Sequence, residues 1–233
     1  MHGVTFNVNE EGEGACHVFN PDRPEATDRG PAGMVAEMTR FVELSKDKRS
    51  LLDVGALFGV FSMVFCALTG GTAYAIEASP WAFPILMDHV RANPTLDFGH
   101  GQFFLGDTPY REVNCARDWK HVIANLDRPD SEQITIYEAR LDDILPAEYF
   151  VDIMKIDVEA YEVQVLRGAE NLIRRCRPLM FIELHTATLP DNGESLESFM
   201  ALMDDYGYTT RNYDGSLAND ILPNSMTRVI AWP

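Results

Sequence analysis

Two short stretches carry paired ionisable groups at one spacing. Asp157 and Glu159 follow the apolar run Val151-Asp152-Ile153-Met154-Lys155-Ile156, and Glu183 and His185 follow Pro178-Leu179-Met180-Phe181-Ile182. Alternate residues of a strand point to the same face, so each pair aims one way if its strand persists. If the two strands are neighbours, three acids and an imidazole converge. Asp157, Glu159 or His185 can then act as a base toward a hydroxyl. Alternatively, Asp157, Glu183 and His185 can hold a divalent cation through hard oxygens and an imidazole nitrogen. A plainer reading is local: Asp157 or Glu159 caps the next helix, and Glu162 favours its first turn. The readings are compatible.

A second constellation lies upstream. Leu51-Leu52-Asp53-Val54-Gly55-Ala56-Leu57-Phe58-Gly59 is an apolar run ending in a turn with two glycines four positions apart. Val60, Phe61, Val64, Phe65 and Leu68 then follow helical spacing, so the stretch reads as a buried strand, a tight turn and a helix. Such turns border the crevice where open α/β sheets bind small molecules. Glu77 ends the next strand, where a carboxylate can accept hydrogen bonds from the ribose hydroxyls of an adenosine ligand. Its plain alternative is an acid near a helix N-terminus. The G-x-G-x-x-G fingerprint is absent, which argues against a nicotinamide-dinucleotide oxidoreductase. Asp107, after Gly106, is either a further acid near an adenine amino group or part of a simple turn. Trp81 and Phe83 read as core packing.

These residues need a scaffold. From 50 to 184 the chain alternates strand and helix: strand 50–54, helix 59–69, strand 72–76, helix 80–92 opened by Ser79-Pro80, a weak strand 102–105, strand 151–156, helix 160–175 and strand 178–182. This pattern predicts an α/β fold with a mostly parallel sheet and helices on both faces. Helix 194–205 and two strands near 207–210 and 226–232 predict an antiparallel hairpin finishing the sheet. Residues 107–148 break the rhythm. Their β-like runs 121–125 and 134–137, with a turn at Asp127-Arg128-Pro129-Asp130, suggest an inserted hairpin. Residues 1–30, with a short alternating run Val4-Thr5-Phe6-Asn7-Val8, read as an arm or cap on one domain spanning 31–233. Met34, Val35, Met38, Phe41, Val42 and Leu44 form a helical stripe, and apolar residues at 31–45 can support a homodimer.

With 36 Asp and Glu against 19 Lys and Arg, the net charge of −17 disfavours nucleic acid and anionic membrane surfaces as partners. No stretch has the length of a membrane span, and the N-terminus lacks the features of a secretory signal, so a cytoplasmic location is expected. Cys16, Cys66, Cys115 and Cys176 form neither a zinc signature nor a disulfide framework, and Cys66 reads as a core residue.

Three blocks resemble the FkbM-type S-adenosylmethionine-dependent methyltransferases: Asp53-Val54-Gly55-Ala56 with Gly59, Phe61 and Ser62; Ala75-Ile76-Glu77-Ala78-Ser79-Pro80; and Lys155-Ile156-Asp157-Val158-Glu159-Ala160, followed by Glu162 and Arg167-Gly168-Ala169. Pro178, Glu183 and His185 extend the likeness, which runs from about residue 30 to the C-terminus. The resemblance implies a class I methyltransferase (Rossmann-like) fold with a seven-stranded sheet and an antiparallel terminal hairpin. It implies S-adenosyl-L-methionine as cofactor and S-adenosyl-L-homocysteine as product. Asp53, Gly55, Ala56, Gly59, Phe61, Ser62, Glu77, Ala78, Asp107 and Asp157 are then the cofactor-binding residues, and Asp157, Glu159 and His185 the catalytic ones. The implied reaction is methylation of a hydroxyl on a small-molecule acceptor, a sugar or secondary metabolite. N-methylation of an amine or amide and a non-catalytic cofactor binder are the alternatives. Leu57 stands where asparagine is common, Ala78 where proline is, His89 where asparagine is, and Ala160 where glycine is.

Overall fold

A computed structural model describes residues 7–8, 31–118, 121–124, 132–213, 221 and 225–233. The elements, in chain order, are α1 (Pro31–Ser45), β1 (Ser50–Val54), α2 (Val60–Thr69), β2 (Thr72–Ile76), α3 (Ala82–Ala92), β3 (Phe98–Gly101), β4 (Phe104–Leu105), β5 (Glu112–Asp118), β6 (His121–Ala124), β7 (Glu132–Ala139), α4 (Leu141–Ile144), β8 (Ile153–Ile156), α5 (Glu162–Gly168), α6 (Glu170–Cys176), β9 (Leu179–Leu184), α7 (Leu196–Asp205), β10 (Thr209–Asn212) and β11 (Thr227–Trp232).

Seven strands form the main sheet in the order β10-β11-β9-β8-β1-β2-β3. The strands from β9 to β3 run parallel, and β11 is antiparallel to both β9 and β10. The terminal pair is therefore antiparallel, as the sequence predicts. Strand alternation divides the core in two. Leu52, Val54, Met154, Ile156, Met180 and Ile182 face α5, α6 and α7. Leu51, Ala73, Ala75, Ile153, Phe181 and Ile230 face α1, α2 and α3. By the same period of two, Asp53, Lys155, Glu183 and Arg228 fall on the second face.

Several expectations are corrected. The third strand of the main sheet is Phe98–Gly101, not 102–105. Its two glycines lower β-propensity, and the apolar Phe103-Phe104-Leu105 drew the assignment downstream. Phe104–Leu105 instead joins a second sheet, ordered β4-β7-β5-β6. The expected hairpin of 121–125 with 134–137 is also replaced: β6 and β7 each pair antiparallel with β5, which lies between them. In β5 only Val113 and Cys115 carried an alternating signal, among charged neighbours. Helix 80–92 starts at Ala82, and Ser79 Oγ still accepts from the N–H groups of Trp81 and Ala82 at 3.3 and 3.2 Å. Helix 160–175 is two helices divided at Ala169. Gly168, the last residue of the first, makes a close approach: a Cβ on it would stand 1.9 Å from the Gly106 carbonyl oxygen. The turns at 127–130 and 214–215, and most of the arm at 1–30, lie outside the described residues. Among the described residues no helix is long and apolar enough to cross a membrane.

Candidate active site

The crevice opens at the carboxyl ends of β8, β1 and β2. Gly55, Leu57, Glu77, Ala78, Asp157 and Glu159 line it, with Phe103, Phe104, Leu105 and Ile76 supplying an apolar wall. The glycine turn and the carboxylate at the end of β2 thus meet at one cavity.

Tight backbone contacts shape the turn. Gly55 has φ +74°, and a Cβ there would lie 1.7 Å from the Asp157 carbonyl oxygen. Only glycine fits where the β1 turn crosses the end of β8. Gly59 lies beside α3, and a Cβ on it would meet Leu86 Cδ1 at 2.5 Å. Leu57 adopts φ +51°, a left-handed conformation that asparagine accepts more readily than leucine. The same logic applies to Ala160, at φ +73° where glycine is common. His89, at a usual asparagine position, places Nδ1 2.7 Å from the Phe58 carbonyl oxygen and so ties α3 to the turn.

Glu77 is held from two sides. The Leu57 N–H donates to Oε2 at 2.8 Å, and the Ser79 N–H donates to Oε1 at 2.7 Å. The two N–H groups fix the orientation of a carboxylate that lines the crevice. This oriented carboxylate, the glycine-lined backbone and the apolar wall fit an adenosyl group with an amino-acid tail.

The remaining expected cofactor residues divide by location. Asp53 and Ser62 are buried behind the turn, where Ser62 Oγ donates to Asp53 Oδ2 at 2.8 Å. Burial raises the Asp53 pKa, against the lowering influence of Lys155 and of the Ser62 hydrogen bond. Ala56 is buried, and Phe61 packs edge-on to Phe41 at 5.0 Å. Asp107 does not line the crevice: Thr108 Oγ1 donates to it at 2.9 Å, and Arg167 Nη1 stands 3.7 Å away. Trp81 packs on Phe58, and Phe83 on His100.

At the β8–β9 end, parallel pairing brings Asp157, Glu159, Glu183 and His185 together. Donor atoms of Asp157, Glu183 and His185 lie within 4.8 Å of one another. His185 Nδ1 is 2.7 Å from Glu162 Oε1, and Nε2 is 3.5 Å from Glu159 and 3.9 Å from Glu183. Burial disfavours charge on His185. The Glu162 hydrogen bond, with the charges of Glu162, Asp157 and Glu159, outweighs it and raises the pKa to about 10. Burial and the charge of Asp157 push Glu183 up to about 7, while Arg228 opposes the rise.

Three network members were not anticipated. Lys155 Nζ lies 3.3 Å from Asp157 Oδ2 and 4.7 Å from the centre of the Phe61 ring. Arg228 bridges Glu183 at 2.8 Å and Glu37 of α1 at 2.9 Å. Burial works against the Lys155 charge, yet Asp157, Glu37 and Asp53 hold its pKa above the ordinary lysine value. The available signal was one charge inside an otherwise apolar run: Lys155 in Ile153–Ile156, Glu37 on an apolar helix, and Arg228 in the closing strand. A buried acid, Glu138, also went unnoticed. It accepts from Arg111 at 2.6 Å and Tyr161 at 3.1 Å, fastening the second sheet to the loop before α5.

The profile of the methyltransferase FkbM domain matches residues 53–210. The chain belongs to the FkbM methyltransferase family. A comparison with curated protein sequences gave no match. Among solved structures, it resembles the methyltransferase FkbM from Methylobacillus flagellatus KT at 17% identity and TM-score 0.50, covering 80% of this chain and 44% of that one. This FkbM chain therefore spans less than half the length of that relative. The precorrin-6y C5,15-methyltransferase from Geobacter metallireducens GS-15 is similar at 13% identity and TM-score 0.50, with 91% and 92% covered. The human methyltransferase 10 domain containing protein gives 13%, 0.50, 95% and 94%. At these identities the likeness establishes the class I methyltransferase fold, and the family rests on the domain match.

Proposed function

We propose that this FkbM-family chain transfers a methyl group from S-adenosyl-L-methionine to a hydroxyl oxygen of a small molecule. One observation carries the reading: Glu77, fixed by two backbone N–H groups, stands in the same crevice as Gly55 and Asp157. When bound, the cofactor supplies a sulfonium methyl that forms a carbon–oxygen bond with the acceptor as its carbon–sulfur bond breaks, the electron pair leaving on sulfur. Glu77 holds the ribose hydroxyls, and Gly55 lets the turn close on the end of β8 beside the amino-acid tail. Asp157 and Glu159 line the crevice and take the acceptor proton. His185, oriented by Glu162, positions those carboxylates. Phe103, Phe104 and Val122 line the crevice beside these groups and contribute to the acceptor pocket. The acidic surface favours an uncharged or cationic acceptor over a phosphate polymer.

Calorimetry with S-adenosyl-L-homocysteine tests the cofactor half. Micromolar binding that weakens about 30-fold in Glu77→Ala, roughly 2 kcal/mol, is the expected result. Binding of NAD in place of S-adenosyl-L-homocysteine would overturn it. Incubation with labelled cofactor and a panel of polyols, phenols and amines, read by mass spectrometry, tests the acceptor half; methyl found only on nitrogen would refute the O-transfer assignment.

A further inference from the structure

We infer that Asp157, Glu183 and His185 bind one divalent cation beside the crevice that Asp157 lines. Their donor atoms converge within 4.8 Å, and His185 Nε2 is 3.9 Å from Glu183 Oε1. Around an octahedral ion with bonds of about 2.1 Å, ligand atoms stand roughly 3 to 4 Å apart, so only a small contraction is required.

An ion there exchanges the 3.5 Å contact of His185 Nε2 with Glu159 for a bond to the metal. Arg228 engages Oε2 of Glu183, whereas Oε1 is the atom turned toward His185. His185 is oriented through Nδ1 by Glu162, whose side chain is fully buried. A carboxylate on the far nitrogen is the usual support of a metal-bound histidine, because it fixes the ring and strengthens Nε2 as a donor. Glu162 itself is held by the Ala160 N–H at 3.0 Å, and its Oε2 has no hydrogen-bond partner among the described residues.

Two hard oxygens and one imidazole suit Mn²⁺ as the probe. The inference deepens the methyltransferase reading, on which the ion's role rests: an ion there favours an acceptor with oxygens on adjacent carbons, a vicinal diol or hydroxy-carbonyl compound, by holding both oxygens.

The test uses the full chain, freed of metal by chelator and dialysed. Calorimetry and electron paramagnetic resonance with Mn²⁺ should give one ion per chain. Glu183→Gln and His185→Ala should each weaken that binding about 10-fold or more, while exposed Glu43→Gln leaves it unchanged. S-adenosyl-L-homocysteine binding by each variant reports that it is folded. Absence of saturable Mn²⁺ binding by the wild-type chain, or equal affinity in the folded Glu183→Gln and His185→Ala variants, would overturn the site. Mn²⁺ bound without any affinity for S-adenosyl-L-homocysteine would uphold the ion site and refute the methyltransferase reading.

Discussion

The two ends of the site, the β1–β2 crevice and the β8–β9 cluster beside it, are built differently. At the β1–β2 end the deciding contact, Leu57 N–H to Glu77, joins residues 20 positions apart. At the β8–β9 end, Arg228 and Glu37 are 191 positions apart, and their network draws on α1, β8, β9 and β11. The first end is mostly backbone geometry around one carboxylate. The second is a buried ion network whose members acquire meaning only as neighbours. An end made of local geometry tolerates loss of a distant residue, whereas a network distributes each loss over several unpaired charges.

Substitutions can break or sharpen that contrast. The largest effect is expected from Gly55→Ala, which forces a Cβ against the Asp157 carbonyl where the two ends touch. It should cost about 4 kcal/mol or more in urea denaturation and abolish S-adenosyl-L-homocysteine binding. Arg228→Met strands the carboxylates of Glu37 and Glu183 and should cost about 3 kcal/mol by the same measurement. Adding Glu37→Gln should recover part of that loss. Cofactor affinity should shift about threefold or less, roughly 0.6 kcal/mol; a shift as large as that of Glu77→Ala would erase the distinction between the ends. Glu77→Ala should do the reverse, weakening S-adenosyl-L-homocysteine by about 2 kcal/mol. The smallest effect is a gain: Leu57→Asn, by relieving the left-handed backbone, should stabilise the protein by about 1 kcal/mol in thermal denaturation.

Legibility followed the same division. Strands β1, β2, β8 and β9 were readable because a parallel strand covered on both faces leaves a continuous apolar run. Strand β3, with glycines at 99 and 101, and β5, with Glu112, Arg117 and Asp118 around Val113 and Cys115, lack that run and were misplaced or missed. Glu77 was visible because strand and turn alone fix its location. Lys155, Glu37 and Arg228 were visible only as oddities, each a charge among apolar residues without an assigned partner. Leu57 and Ala160 stood out as departures from the family pattern; their positive φ angles give the physical reason asparagine and glycine suit those positions.

By itself the sequence determined the alternation of strand and helix, the glycine bend, the acid after β2 and the pairs at the ends of β8 and β9, because each depends on periodicity or on one residue's backbone preference. Tertiary structure alone decided that Arg228 faces Glu183 across the β9–β11 register, that Glu37 reaches Arg228 from a helix, and that Glu162 orients the His185 ring beside Asp157. Such contacts depend on which strands become neighbours, and that outcome is set by burial summed over the whole sheet, beyond what any local pattern encodes.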